Sequence, residues 1–208
     1  MSTNDDSPPR QPRTDTWGWE QDGAAWHTEL VQPAGMSRTQ WWRSFVEAWL
    51  EDFSPLTRVT EATLTNDDPR TIVWSDGAYT AFRERLLAAI VDASHDIVSL
   101  TLSLDLHAWF RVGDSMIPER AWLRWSDVEL YALIDPETNT GYATFELPLS
   151  LFAARSRARG DNHALHALNQ PLLADALERW ARRPGVKLSW SGELPGMYER
   201  GFLPDDEE

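Results

Sequence analysis

The stretch Val98-Ser99-Leu100-Thr101-Leu102-Ser103-Leu104-Asp105-Leu106-His107 decides the fold. Apolar and polar residues alternate along its whole length. A β-strand has a side-chain period of two, so this strand has one apolar face and one face of hydroxyls, a carboxylate and an imidazole. A strand covered on both sides reads as a continuous apolar run instead. The segment therefore predicts an antiparallel sheet with one face on a core and the other turned to water.

Downstream, residues 121–134 read as a second strand with aromatics toward both faces and a bulge near Ser126 and Asp127. Asp135-Pro136-Glu137-Thr138-Asn139 supplies turn chemistry and returns the chain to a strand at 140–147, completing an antiparallel meander. Upstream, 57–65 and 70–75 read as strands joined by Asn66-Asp67-Asp68-Pro69.

Helices separate these runs. Ser37 and Gln40 have capping-box spacing, and Trp42, Phe45, Val46, Trp49, Leu50 and Phe53 then fall on one helical face until Pro55. Trp41 lies off that face and is expected at the surface. Residues 78–93 predict a second helix, capped by Ser75 or Asp76, with Phe82, Leu86 and Ile90 in its stripe. A short helix is expected at 150–158, carrying Arg155 and Arg159. The last helix carries Leu172, Leu173, Ala176, Leu177 and Trp180, with Pro171 in its first turn, Asn169 or Gln170 as cap, and Pro184 and Gly185 at its end. Residues 186–190 read as a final strand. The order implies a single α+β domain, a largely antiparallel sheet packed by helices on one face.

The 208 residues include 33 acidic and 19 basic side chains, a net charge of -14, with 12 Trp and no Cys. The hydrophobic content of 42% is enough for a core. Absent cysteine excludes a disulfide scaffold and a thiolate zinc site. The acidic balance argues against general nucleic-acid binding, because phosphates are repelled. The N-terminus lacks the apolar region of a signal peptide, and the longest apolar run, residues 86–91, is far short of a membrane span. A soluble cytoplasmic protein with no membrane contact is the expectation.

The charge is unevenly placed. Residues 1–35 hold six acids against two arginines, and 193–208 hold six against Arg200. Residues 155–192 reverse the sign, with seven bases against three acids. The chain thus reads as an acidic, Trp-containing N-terminal arm (1–35), a globular domain (36–192) and an acidic tail (193–208). The basic set from Arg155 to Lys187 is expected to pair with the acidic ends.

Catalytic motifs are sparse. Gly113-Asp114-Ser115 follows a strand and resembles the nucleophile block of the GDS-type hydrolases, in which an Asp-x-x-His near the C-terminus activates the serine. Here the only such motif, Asp92-Ala-Ser-His95, precedes the serine, and an ordinary turn is the preferred reading. His163 and His166, after Asp161, have a spacing a metal could use on a helix, but no third ligand is fixed by spacing, and solvated histidines with Asp161 as cap are preferred. Asp105 and His107 share the polar face of the central strand with Ser99, Thr101 and Ser103, without an evident nucleophile. No phosphate-binding loop, dinucleotide fingerprint or nucleophile elbow is present, and no cofactor or metal is assigned.

The expectation is therefore a non-enzymatic protein-binding protein, an inhibitor or toxin-immunity protein covering a basic partner. The alternative is an adaptor subunit docking through aromatic arms, and a hydrolase or metal enzyme stands behind both. Candidate partner-binding residues are Trp17, Trp19, Trp26 and Trp41 near the N-terminus. Ser99, Thr101, Ser103, Asp105 and His107 are candidates on the strand face, and Met197, Tyr198 and Phe202 in the tail. Trp and Tyr suit such contacts because they bury large area at small entropic cost.

Overall fold

The alternating stretch lies inside a seven-stranded sheet. The described residues of the computed structural model are 19–65, 69–74, 78–93, 97–111, 117–156, 160–192, 196–198 and 200–202. The chain runs through β1 (Trp19–Val31), α1 (Arg38–Phe53), β2 (Thr57–Thr65), β3 (Arg70–Val73), α2 (Tyr79–Ala93), β4 (Ser99–Phe110), β5 (Glu119–Ile134) and β6 (Thr140–Leu149). A 3-10 turn at Ser150–Phe152 follows, then β7 (Arg155–Ser156), β8 (Gly160–Asp161), α3 (His163–Ala181) and β9 (Ser189–Gly192). The short pair β10 (Met197–Tyr198) and β11 (Gly201–Phe202) completes the described chain. The main sheet has the order β3-β2-β4-β5-β6-β1-β9, and every neighbouring pair is antiparallel. The fold is α+β, as the alternation of β4 requires.

Leu100, Leu102, Leu104 and Leu106 all point into the core. Their register partners on the same face include Val59, Ala62, Leu64, Leu123, Leu130 and Ala132. Three helices join this core, α1 through Trp42, Val46, Trp49 and Phe53, α2 through Phe82, Leu86 and Ile90, and α3 through Leu165, Leu173, Leu177 and Trp180. Phe53 ties the layers together. Its ring stacks on Trp49 at 4.5 Å and meets Phe145 of β6 at 5.0 Å and Trp180 of α3 at 5.7 Å.

Local chemistry sets the boundaries. Ser37 and Gln40 form the capping box, each side chain accepting from the other's backbone N–H. Asp135 Oδ1 accepts from the N–H of Glu137 at 2.7 Å, and Asn139 takes a φ of 56°, so the turn into β6 forms as its residues direct. Gly141 is required beside it, since a Cβ there would meet the Leu133 carbonyl oxygen at 1.8 Å.

Several expectations are corrected. Residues 19–31 are not part of an arm. They form a strand inside the sheet, paired with β6 on one side and β9 on the other. Ala24, Trp26, Thr28 and Leu30 are buried on alternate positions, which is the period-two signature of a half-buried strand. Trp41 is only 7% exposed, because it stacks on Phe45 and meets Trp42 edge-on, so α1 buries a wider arc than its periodic stripe. The helix expected at 150–158 is one 3-10 turn. Beyond it Asn162 pulls the chain round, its Nδ2 donating to the Ala153 carbonyl and its backbone N–H to the Ala154 carbonyl.

α3 starts at His163, so Pro171 lies within it instead of in its first turn. Asn169, read as a cap, is fully buried inside the helix. The strand expected at 186–190 is Ser189–Gly192, slightly later, and it extends the sheet along β1. No described helix is long and apolar enough to cross a membrane.

The uncovered face of the sheet as candidate functional site

The helices pack on the leucine face of β4. The opposite face, uncovered by any helix among the described residues, holds the residues that the alternation assigned to water, and strand register sorts them into rows. In one row Glu61 stands opposite Ser103, Ser103 opposite Glu129, and Glu129 opposite Glu146. Three carboxylates from β2, β5 and β6 thus line up across the strands. The next row carries Thr71, Thr63, Thr101, Tyr131, Thr144 and His27, again each opposite the next. His27 is fixed there through ring nitrogens on Thr144 Oγ1 at 3.0 Å and Ser191 Oγ at 2.6 Å. Tyr131 and Tyr142 place their rings 5.8 Å apart beside this row.

On the other side of the carboxylate row the chemistry changes sign. Asp105 has no exposed surface. Its Oδ2 accepts from Arg58 Nε at 3.1 Å, and Arg124 donates from Nε to Oδ1 at 3.0 Å and from Nη2 to Oδ2 at 3.3 Å. The Arg58 guanidinium lies 4.6 Å from the Trp74 ring centroid and 4.4 Å from that of Trp122. His107 stacks on Trp122 at 4.7 Å. Burial lowers the pKa of Arg58, and the Asp105 charge opposes that shift. The β4–β5 register slips between Ser103 and Asp105, where the strand opposite passes from Glu129 to Arg124. The expected bulge near Ser126 and Asp127 falls in this interval.

The strand-face candidates are brought together, but with unequal access. Thr101, Ser103 and His107 are half-buried on the uncovered face, Ser99 is nearly buried, and Asp105 is wholly enclosed by its arginines. The terminal candidates differ in access, Met197 and Tyr198 being half-buried and Trp26 and Phe202 enclosed. Trp26 is completely buried, donating from Nε1 to the Tyr198 carbonyl at 3.0 Å. Phe202 is also buried and meets Trp26 edge-on at 6.0 Å, while Met197 packs against the core. Trp19 opens β1 opposite Leu149, and Trp17 lies outside the described residues.

Gly113, Asp114, Ser115 and His95 also lie outside the described residues. His163 bonds Asp161, whose carboxyl is held below the usual range first by the His163 backbone N–H and then by its ring. His166 is instead buried, with Nδ1 on the Phe152 carbonyl at 2.7 Å. The two imidazoles therefore have separate partners. Among the described residues no three His, Asp or Glu side chains converge as a metal site.

Part of the basic segment is spent inside the fold. Arg183 pairs with Glu51 and Asp52 of α1 at 2.8 Å each, and Arg179 donates twice to the Asp52 carbonyl. Most acids of the two ends lie outside the described residues, so these contacts with α1 are the pairings of Arg179 and Arg183 that the structure describes. Sequence reading missed the carboxylate row and the two arginines on Asp105, because cross-strand neighbours follow from register and not from spacing along the chain. Comparison with protein-family models, curated proteins and solved structures finds no match for this chain.

Proposed function

We propose that this chain is a non-enzymatic binding protein whose uncovered sheet face receives a basic protein partner. The carrying observation is the row of Glu61, Glu129 and Glu146. Glu129 and Glu146 stand directly opposite each other, and like charges in that relation destabilise a sheet. A cationic surface laid on the row meets three carboxylates at once. The flanking hydroxyls and the Tyr131–Tyr142 pair supply hydrogen bonds and contact area, and the net charge of -14 speeds encounter with a basic protein. An inhibitor or toxin-immunity protein covering a basic enzyme is the specific form of this reading. The adaptor alternative keeps less support, since two of its aromatic residues, Trp26 and Phe202, serve the core.

The test compares the full-length protein with the Glu129→Lys/Glu146→Lys variant as bait in extract of its host. The unaltered protein should retain a basic protein whose association rate falls with added salt. The variant, melting at the same temperature, should not retain it. Retention of the same proteins by both baits, or of none that is basic, defeats the proposal.

A further inference from the structure

We propose that the corner formed by Arg120, Arg124, His107 and Trp122 binds a mononucleotide, its phosphate on the arginines and its base against the ring stack. The corner lies on the same face as the carboxylate row but beyond it, and the inference does not depend on the protein partner.

Arg120, Trp122 and Arg124 alternate along β5, so all three share the uncovered face with His107, which stands opposite Trp122. Asp105 fixes Arg124 through Nε and Nη2, which leaves donors of its fork uncommitted to that carboxylate. The Arg124 side chain is 43% exposed although Asp105 holds its guanidinium. Arg58 already matches the Asp105 charge from within, leaving the positive charge of Arg124 in excess. Planar forks of this kind suit phosphate oxygens.

The second observation is the stack. Arg58, Trp122 and His107 form a guanidinium–indole–imidazole group, with the imidazole ring inclined only 16° to the indole. Trp122 is 95% buried by this packing, being 5% exposed, while His107 is half-buried at the more accessible end. A flat base extends such a stack at little conformational cost.

The glutamates limit the ligand's length. Ser103, at the level of Glu61 and Glu129, is two residues from Asp105, or about 7 Å along the strand. A nucleic-acid strand running across the face would place its next phosphates over carboxylates. One nucleotide avoids them.

Isothermal titration of the full-length protein with AMP, adenosine, inorganic phosphate and a single-stranded oligonucleotide tests the assignment. AMP should bind more tightly than the other three, and Arg120→Ala should weaken it about tenfold, as loss of a charge-assisted hydrogen bond does. Arg70→Ala, on the distant edge strand, should leave it unchanged. Adenosine binding as well as AMP would deny the arginines their role, and phosphate binding as well would deny the rings theirs. An oligonucleotide binding more tightly would remove the size limit. Any of these, no AMP binding at millimolar concentration, or unchanged binding by the Arg120→Ala variant overturns the proposal.

Discussion

Asp105 has no exposed surface and faces two guanidiniums, one enclosed and one open to water. Removing the carboxylate alone takes from Arg58, whose side chain is 3% exposed, the counter-charge that lies 3.1 Å away. Asp105→Ala is therefore expected to cost about 3–5 kcal/mol in chemical denaturation. The double variant Arg58→Met/Asp105→Leu should recover much of that loss, because apolar side chains replacing a whole buried pair are often neutral or better. A single substitution costing no more than the double would mean that Arg58 finds water or another partner when Asp105 is gone. The sequence placed Asp105 and His107 on one strand face correctly, since period two needs only the chain itself. It could not show that Asp105 is enclosed. That depends on Arg58 and Arg124 arriving from neighbouring strands across a slipped register.

At the scale of elements, the strands and helices with strong periodicity were legible, and those interrupted by special side chains were not. β4 and α1 declare themselves through alternation and a capping box. In β1 the alternation of Ala24, Trp26, Thr28 and Leu30 was present, but Gly and acidic residues before it suggested an arm. α3 was misread because Pro171 usually marks a first turn, whereas here the helix begins earlier, at His163. Asn169 helps explain why that earlier part holds. Its Oδ1 accepts from the Trp109 N–H at 2.8 Å, and its Nδ2 donates to the carbonyls of Trp109 at 2.7 Å and Leu151 at 3.2 Å. The side chain thus joins α3 to the end of β4 and to the 3-10 turn. Asn169→Ala should cost about 2–3 kcal/mol, since it leaves buried backbone groups without partners. Hydrogen exchange should show the Trp109 amide losing protection. An unprotected Trp109 amide in the unaltered protein would contradict this account.

Over the whole molecule, the two ends change meaning. Residues 1–35 looked like a charged arm, yet β1 carries Glu29 on the uncovered face and Trp26 in the core, so one segment serves both layers. The last described residues close the core between β1 and α3. Phe202 meets Trp26, Gln170 of α3 accepts the Phe202 N–H at 3.1 Å, and Gly201, at a φ of 113°, lies where a Cβ would strike the Gln170 side chain. If this end is a lid, deleting residues 197–208 must destabilise the fold, whereas a docking arm could be removed without that effect. Phe202→Ala separates loss of the lid from loss of tail charge. It should cost about 3–5 kcal/mol, the usual range for emptying a buried phenylalanine site, while the four acids at 205–208 remain. Thermal melting of both variants decides the matter. A deletion that melts with the full chain would return the tail to the role of an arm and reopen the adaptor reading. A deletion and a Phe202→Ala variant that melt together would place the tail's contribution to stability in that one buried ring.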